Sequence, residues 1–168
     1  MATQTSSLIG GTIDGSASSA TALFALGTVA FGTDGTKWEY VLATATFTTG
    51  ELVLVSPNGT AKTCVTARMS TLTHGVDLGF CQGLLNRSEY GWIAKQGRKL
   101  YILTTATMSA GSPNGLGFTA NSGRLAPATM CGVGNTAFGI WVTSNTPTGA
   151  GPNVTVATIT WPRIAFKG

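Results

Sequence analysis

Residues 79–125 read GFCQGLLNRSEYGWIAKQGRKLYILTTATMSAGSPNGLGFTANSGRL, and this stretch decides the fold. Tyr90-Gly91-Trp92 sets a glycine between two aromatics, Tyr101-Ile102-Leu103-Thr104-Thr105 follows as a run of strand formers, and a glycine-rich turn around Asn114-Gly115 closes the block. Glycine beside an aromatic residue marks a strand packed closely on other backbone, because a neighbour approaches where a side chain would clash. No nucleophile, base or metal cluster accompanies these residues, so their chemistry is architectural.

Outward from this block the pattern stays β. Asp34-Gly35, Asn58-Gly59 and Asn114-Gly115 are hairpin-turn pairs, since Asp, Asn and Gly tolerate positive φ. Between the turns run Lys37 to Phe47, Glu51 to Val55, Thr63 to Met69, Trp92 to Ala94, Leu100 to Thr107, Phe138 to Thr143 and Val154 to Trp161, all rich in β-branched and aromatic residues. Lys95, Arg98 and Lys99 fall between two of these segments and are read as a turn. In Val154 to Trp161 the larger apolar side chains lie on both parities, which predicts a strand buried on both faces. The expected fold is all-β, a single-domain antiparallel β-sandwich or barrel over residues 21–168. Residues 1–20 are small and polar, with Gly10-Gly11 and a Ser/Ala tract at Ser16 to Ala20, and are read as a flexible N-terminal arm.

The chain has 168 residues, of which 10% are charged, against roughly 25% in an ordinary soluble domain. A charge-poor, Gly- and Thr-rich surface suits a protein that lives in an assembly. The net charge of +4 is unevenly placed. Residues 1–89 carry four basic and six acidic residues, a net of −2, whereas residues 90–168 carry six basic residues and no acid. Such an asymmetry can orient a protein on an acidic partner surface. The basic residues are too scattered for a nucleic-acid footprint, so no nucleic-acid partner is expected. Ala22 to Phe31 is apolar over only about ten residues, too short to span a bilayer, and no membrane partner is expected. Met1 to Ser7 lacks the basic leader of a signal peptide, and synthesis in a reducing cytoplasm is expected. Asn58, Asn86 and Asn153 match the glycosylation sequon, which carries no meaning without a secretory route.

Catalysis has little material. Cys64, Cys81 and Cys131 are odd in number and widely spaced, which is neither a disulfide framework nor a zinc pattern, so buried free thiols are expected. His74, the one histidine, stands three residues before Asp77 in a segment that reads as a loop. Asp14 and Asp34 sit beside glycine, where a turn explains them. Gly115-Leu-Gly117-Phe-Thr-Ala120 and Gly132-Val-Gly134-Asn-Thr-Ala137 fit a loose dinucleotide fingerprint, but no acid follows Glu89 to complete it. No enzyme, metal or cofactor is expected. Among the aromatics, Trp38 with Tyr40 and Tyr90 with Trp92 each share a strand face. Core packing is expected for Trp141 and Trp161. Tyr90 and Trp92 fit core packing, a protein interface or stacking on sugar rings alike.

The block resembles the capsid decoration, or cement, proteins of tailed bacteriophages over roughly a third of the chain. The carriers are Tyr90-Gly91-Trp92-Ile93, then Lys95-Gln96-Gly97 as a short polar turn, a β segment, and Gly123-Arg124-Leu125. The resemblance implies a non-enzymatic virion structural protein on the outer surface of the capsid. It further implies the major capsid protein as partner and a homotrimer, with Tyr90, Trp92, Lys95, Arg98, Lys99 and Arg124 as candidate subunit or capsid interface residues. Residues 1–35 and 126–168 carry no matching motif. Two other classes fit the same composition: a carbohydrate- or receptor-binding β domain of a phage tail or fibre, and a tail-tube or connector subunit.

Overall fold

The computed structural model describes residues 6–8, 11–13, 17–63, 77–105, 116–118, 123–127, 136–144 and 153–165. Every regular element among them is a strand. In chain order these are β1 (Ser6–Leu8), β2 (Gly11–Ile13), β3 (Ser18–Ser19), β4 (Val29–Phe31), β5 (Lys37–Ala43), β6 (Leu52–Val55), β7 (Thr60–Thr63), β8 (Asp77–Cys81), β9 (Tyr90–Thr104), β10 (Leu116–Phe118), β11 (Leu125–Pro127), β12 (Thr136–Val142) and β13 (Asn153–Ala165). The chain is all-β, as its sequence predicts.

Two expected strands are one. Trp92 to Ala94 and Leu100 onward belong to the single 15-residue β9, so Lys95, Arg98 and Lys99 lie in mid-strand and not in a turn. The strand bends there without reversing. Its register slips against β5 between Lys37 and Trp38 and against β13 between Ala157 and Ile159, and Lys99 takes a φ of 56°. Such bulges add local twist while pairing continues on either side. Glycine is required at position 97 by space, since a Cβ there would lie 2.5 Å from Thr36 Oγ1.

The bend lets the two halves of β9 serve two circuits. Its first half pairs antiparallel with β5 and β8, and its second half pairs with β13 and, at Thr104, with β11. Through β5–β9–β8–β6–β7 and back to β5 the pairing closes a five-stranded barrel, and β9–β13–β12–β10–β11 returns to β9 as a second circuit. Closure removes the sheet edges that would otherwise invite aggregation. The antiparallel expectation needs one correction: β5 with β7 and β11 with β9 are parallel. Five strands cannot alternate direction all the way around a ring, so each circuit must contain one like-directed pair.

Side-chain alternation then divides the core in two. Val41, Val53, Ala61, Cys81 and Ile93 come from all five barrel strands and fill the barrel interior. The opposite parity supplies Tyr40, Leu52, Phe80 and Trp92, which pack with Ile102, Leu125, Ile140 and Ile159 of the second circuit in a larger cluster. The Asp34-Gly35 and Asn58-Gly59 turns form as expected, joining β4 to β5 and β6 to β7 with φ of 80° and 74° at the glycines. Residues 64–76, Asn114-Gly115, Asp14, Cys131 and the Trp161 side chain lie outside the described residues. Within residues 1–20, β1 and β2 pair with each other as a separate two-stranded sheet, and Ser18–Ser19 pair with Gly91 and Tyr90 of β9.

Candidate functional site

Of the six candidate interface residues, Tyr90 and Trp92 share one setting, Arg98 and Lys99 another, and Lys95 and Arg124 each stand in their own. Tyr90 and Trp92 lie under a strap formed by residues 17–28. Ser18–Ser19 anchor the strap to β9, Leu23 N–H donates to the Tyr40 hydroxyl at 3.0 Å, and Gly27 N–H donates to the Tyr40 carbonyl at 2.8 Å. Phe24 thereby drops onto Tyr40 and Trp92, with ring centroids 5.3 and 5.2 Å away, while Tyr90 stacks on Tyr40 at 6.2 Å. A groove of about 80 Å³ remains between strap and barrel, lined by Ser18, Leu23, Phe24, Tyr40, Tyr90 and Trp92. Trp92 is 5% exposed and belongs to the core, and Tyr90 is half-buried at the groove. The Ser18 hydroxyl and the Asn86 amide both donate to Glu89, which holds its carboxyl below the usual range, the Ser18 bond contributing most. Strap and β8–β9 loop are thus joined at one carboxylate.

Lys95 points into the mouth of the barrel, sharing that face with Glu39 of β5 and Asp77 of β8. Its Nζ lies 3.2 Å from Glu39 Oε2 and 3.6 Å from Asp77 Oδ2. Among the described residues the Nζ atom makes no hydrogen bond of good geometry, and it is shielded from solvent. Two carboxylates offset the charge, so the cluster closes the apolar interior with an internal ion pair. Arg98 and Lys99, at the bend itself, are exposed.

Arg124 explains itself through the motif that contains it. Leu52 N–H donates to the Gly123 carbonyl at 2.8 Å, and a Cβ on Gly123 would fall 2.1 Å from Glu51 Cγ. The Gly123-Arg124-Leu125 step therefore lies flat on Glu51, with Leu125 fully buried beyond it. Burial pushes the Glu51 carboxyl up, while the Thr48 N–H bond at 3.0 Å, the Thr48 hydroxyl and the Arg124 charge oppose that shift. Cys81 is a buried free thiol, as expected, pushed up to about 12 mainly by desolvation. His74 and Cys64 lie outside the described residues. Among the described residues no group of three His, Cys, Asp or Glu side chains could hold a metal.

One aromatic expectation is overturned. Trp141 is 53% exposed and does not pack in the core. It pairs across to Thr158, on the outward parity of β12 and β13, while Ile140 and Val142 take the inward positions. Apolar residues on both parities could not reveal which parity faces in. The sequence reading also missed Leu23, Val29 and Phe31, which are exposed at 68%, 42% and 64%. Their signal was the apolar run Ala22 to Phe31, interpreted only as too short for a membrane span. No protein-family model matches the chain, and no curated protein matches it by sequence.

Proposed function

We propose that this chain is a virion structural protein, a capsid decoration protein that binds the outside of a tailed-phage head and stabilises the shell. The observation that carries the reading is where the resembling residues lie. Tyr90-Gly91-Trp92-Ile93 and Lys95-Gln96-Gly97 sit on β9, the strand shared by both circuits, and Gly123-Arg124-Leu125 seats β11 on Glu51. The residues that carry the resemblance are thus among those that build the framework. The charge-poor composition and the exposed Phe31 and Trp141 suit a protein with large partner contacts.

The work of such a protein is thermodynamic. Contacts that form only on the expanded shell stabilise that state by mass action, and no active site is required. The arm fits this role. A lone two-stranded hairpin is marginal in water, and β1 and β2 pair with no other strand among the described residues. Docking on the major capsid protein or on a neighbouring subunit supplies the missing support.

Mixing the purified protein with expanded heads lacking it tests the reading by co-sedimentation and by the heat stability of the heads. Saturable binding that raises the disruption temperature is expected, with weaker binding after deletion of residues 1–20. Absence of binding by a folded protein refutes it, and glycan-dependent quenching of Trp fluorescence in the same preparation would put a carbohydrate-binding domain in its place.

A further inference from the structure

The outer face of the second circuit exposes Trp141 and Val154, at 53% and 42%, while Tyr101 and Val156 are half-buried and Leu103 is covered. Cross-strand partners share a face, so Val154 and Val156 of β13 stand beside Leu103 and Tyr101 of β9, with Trp141 of β12 opposite Thr158. The inward parity, Ala157 and Ile159, is fully buried in the core. β13 thus carries apolar side chains on both faces, but among the described residues only one face is fully buried, against the expectation of burial on both. Arg98 and Lys99, at the bend of β9, are exposed on the same strand.

A second apolar surface lies at the barrel mouth. Val29 is in register with Glu39 and Phe31 with Lys37, so both side chains project on the side that carries the Lys95–Glu39–Asp77 cluster. Leu23 and Leu26 of the strap are exposed nearby in the chain. The charged groups here are Asp34 in the turn after β4, Glu39, Asp77, whose side chain is 73% exposed, and the cations Lys37 and Lys95.

We propose that the Trp141 face of one copy docks on the Val29–Phe31 rim of a second copy, as a head-to-tail contact. This deepens the assembly reading above and rests on it for its setting. The occupant is a second copy of this chain because the two surfaces are complementary in kind. Both expose apolar side chains; Arg98 and Lys99 are exposed at the bend of the strand that carries one, and the other sets Asp34, Glu39 and Asp77 against Lys37 and the buried Lys95, a net negative charge. Every acid of the chain lies in residues 1–89, so a contact between the two halves brings opposite charges together. An isologous contact of the Trp141 face with itself would set Arg98 and Lys99 against their own copies, a like-charge arrangement that disfavours it. A head-to-tail contact leaves one live surface at each end and closes into a ring when the rotation allows.

The test uses the full chain without heads, by sedimentation and light scattering, with Trp141→Glu and Phe31→Glu variants. Both positions are solvent-exposed in the protomer, and unchanged far-UV circular dichroism and melting temperature confirm that each variant folds. Wild type is expected as a closed oligomer, and each variant as a monomer of about the chain mass of 17.2 kDa. Trp141→Phe should still associate. Mixing the two glutamate variants is the deciding step: each retains one intact surface, so they should form a 1:1 dimer and nothing larger. A monomeric wild type at micromolar concentration overturns the proposal, as does a variant that keeps the wild-type mass, or a mixture that stays monomeric. Failure of head binding with this pattern intact would remove the capsid reading and leave the contact standing.

Discussion

Replacing Lys95 with methionine probes the ion pair that closes the barrel. The Lys95 and Glu39 side chains are only 8% and 14% exposed, with Nζ and Oε2 3.2 Å apart, so both charges are largely withdrawn from water. Methionine keeps an unbranched stem and deletes the charge, which leaves Glu39 buried opposite Asp77 with this counter-charge gone. Breaking one side of a buried pair costs about 3–5 kcal/mol, because the remaining ion is left uncompensated. The partial exposure of Glu39 places Lys95→Met at the lower end, about 3 kcal/mol. For a chain of this size each kcal/mol lowers the melting temperature by roughly 2–4 °C, so a fall of roughly 6–12 °C is expected. Asp77 is mostly in water, and Asp77→Asn should cost less than about 1 kcal/mol. The informative variant is the double one. Lys95→Met with Glu39→Leu removes both charges, and apolar replacement of a whole buried pair is often neutral or stabilising. Thermal and urea unfolding followed by Trp fluorescence, arranged as a double-mutant cycle, measures the coupling directly. Low and high salt should give similar values, since buried pairs are little screened. If Lys95→Met matched wild type, or the double variant lost the sum of the two single losses, the pair would not act as a unit and the reasoning would fail.

Gly79→Ala should destabilise by about 1–3 kcal/mol, the usual range for overpacking, because its Cβ would fall 2.2 Å from Ile93 Cγ2 inside the barrel; partial rescue by Ile93→Ala checks the cause, and an unchanged urea midpoint would contradict it. Glu51→Gln should gain on wild type as pH rises. Burial raises the folded carboxyl above its ordinary 4.5, so the protonated form favours folding at low pH and that contribution is lost as pH climbs through the folded value. Urea midpoints near pH 4 and pH 7 check the sign, and an equal advantage at both would refute it. Ser18→Ala removes the main donor to Glu89 and should speed chymotryptic cleavage at Leu23 and Phe24 with little change in melting temperature; identical cleavage rates would show that the strap is held otherwise. In a Cys64→Ser, Cys131→Ser background, Cys81 should react with a thiol reagent only on unfolding, since its thiol is buried and held protonated.

The sequence by itself determined the β class, the hairpins at Asp34-Gly35 and Asn58-Gly59, the shared faces of Trp38 with Tyr40 and of Tyr90 with Trp92, and the burial of Cys81. Each of these follows from a local rule: turn residues that accept positive φ, and side chains that alternate with a period of two. Tertiary structure alone decided the rest. A Lys-Gln-Gly step reads as a turn in isolation, but β5 and β13 hold it straight enough to pair on both sides, and the misfit becomes a bend. The parallel pairs come from closing rings of five strands, a count that exists only once the strands have found one another. Lys95 looks like a surface cation until Glu39 and Asp77 arrive from strands 56 and 18 residues away in the chain. Trp141 shows the limit most plainly. Its neighbours Ile140 and Val142 are as apolar as it is, so the pattern along the strand is silent about direction, and only the packing of β12 and β13 on the second core chose which side would face out.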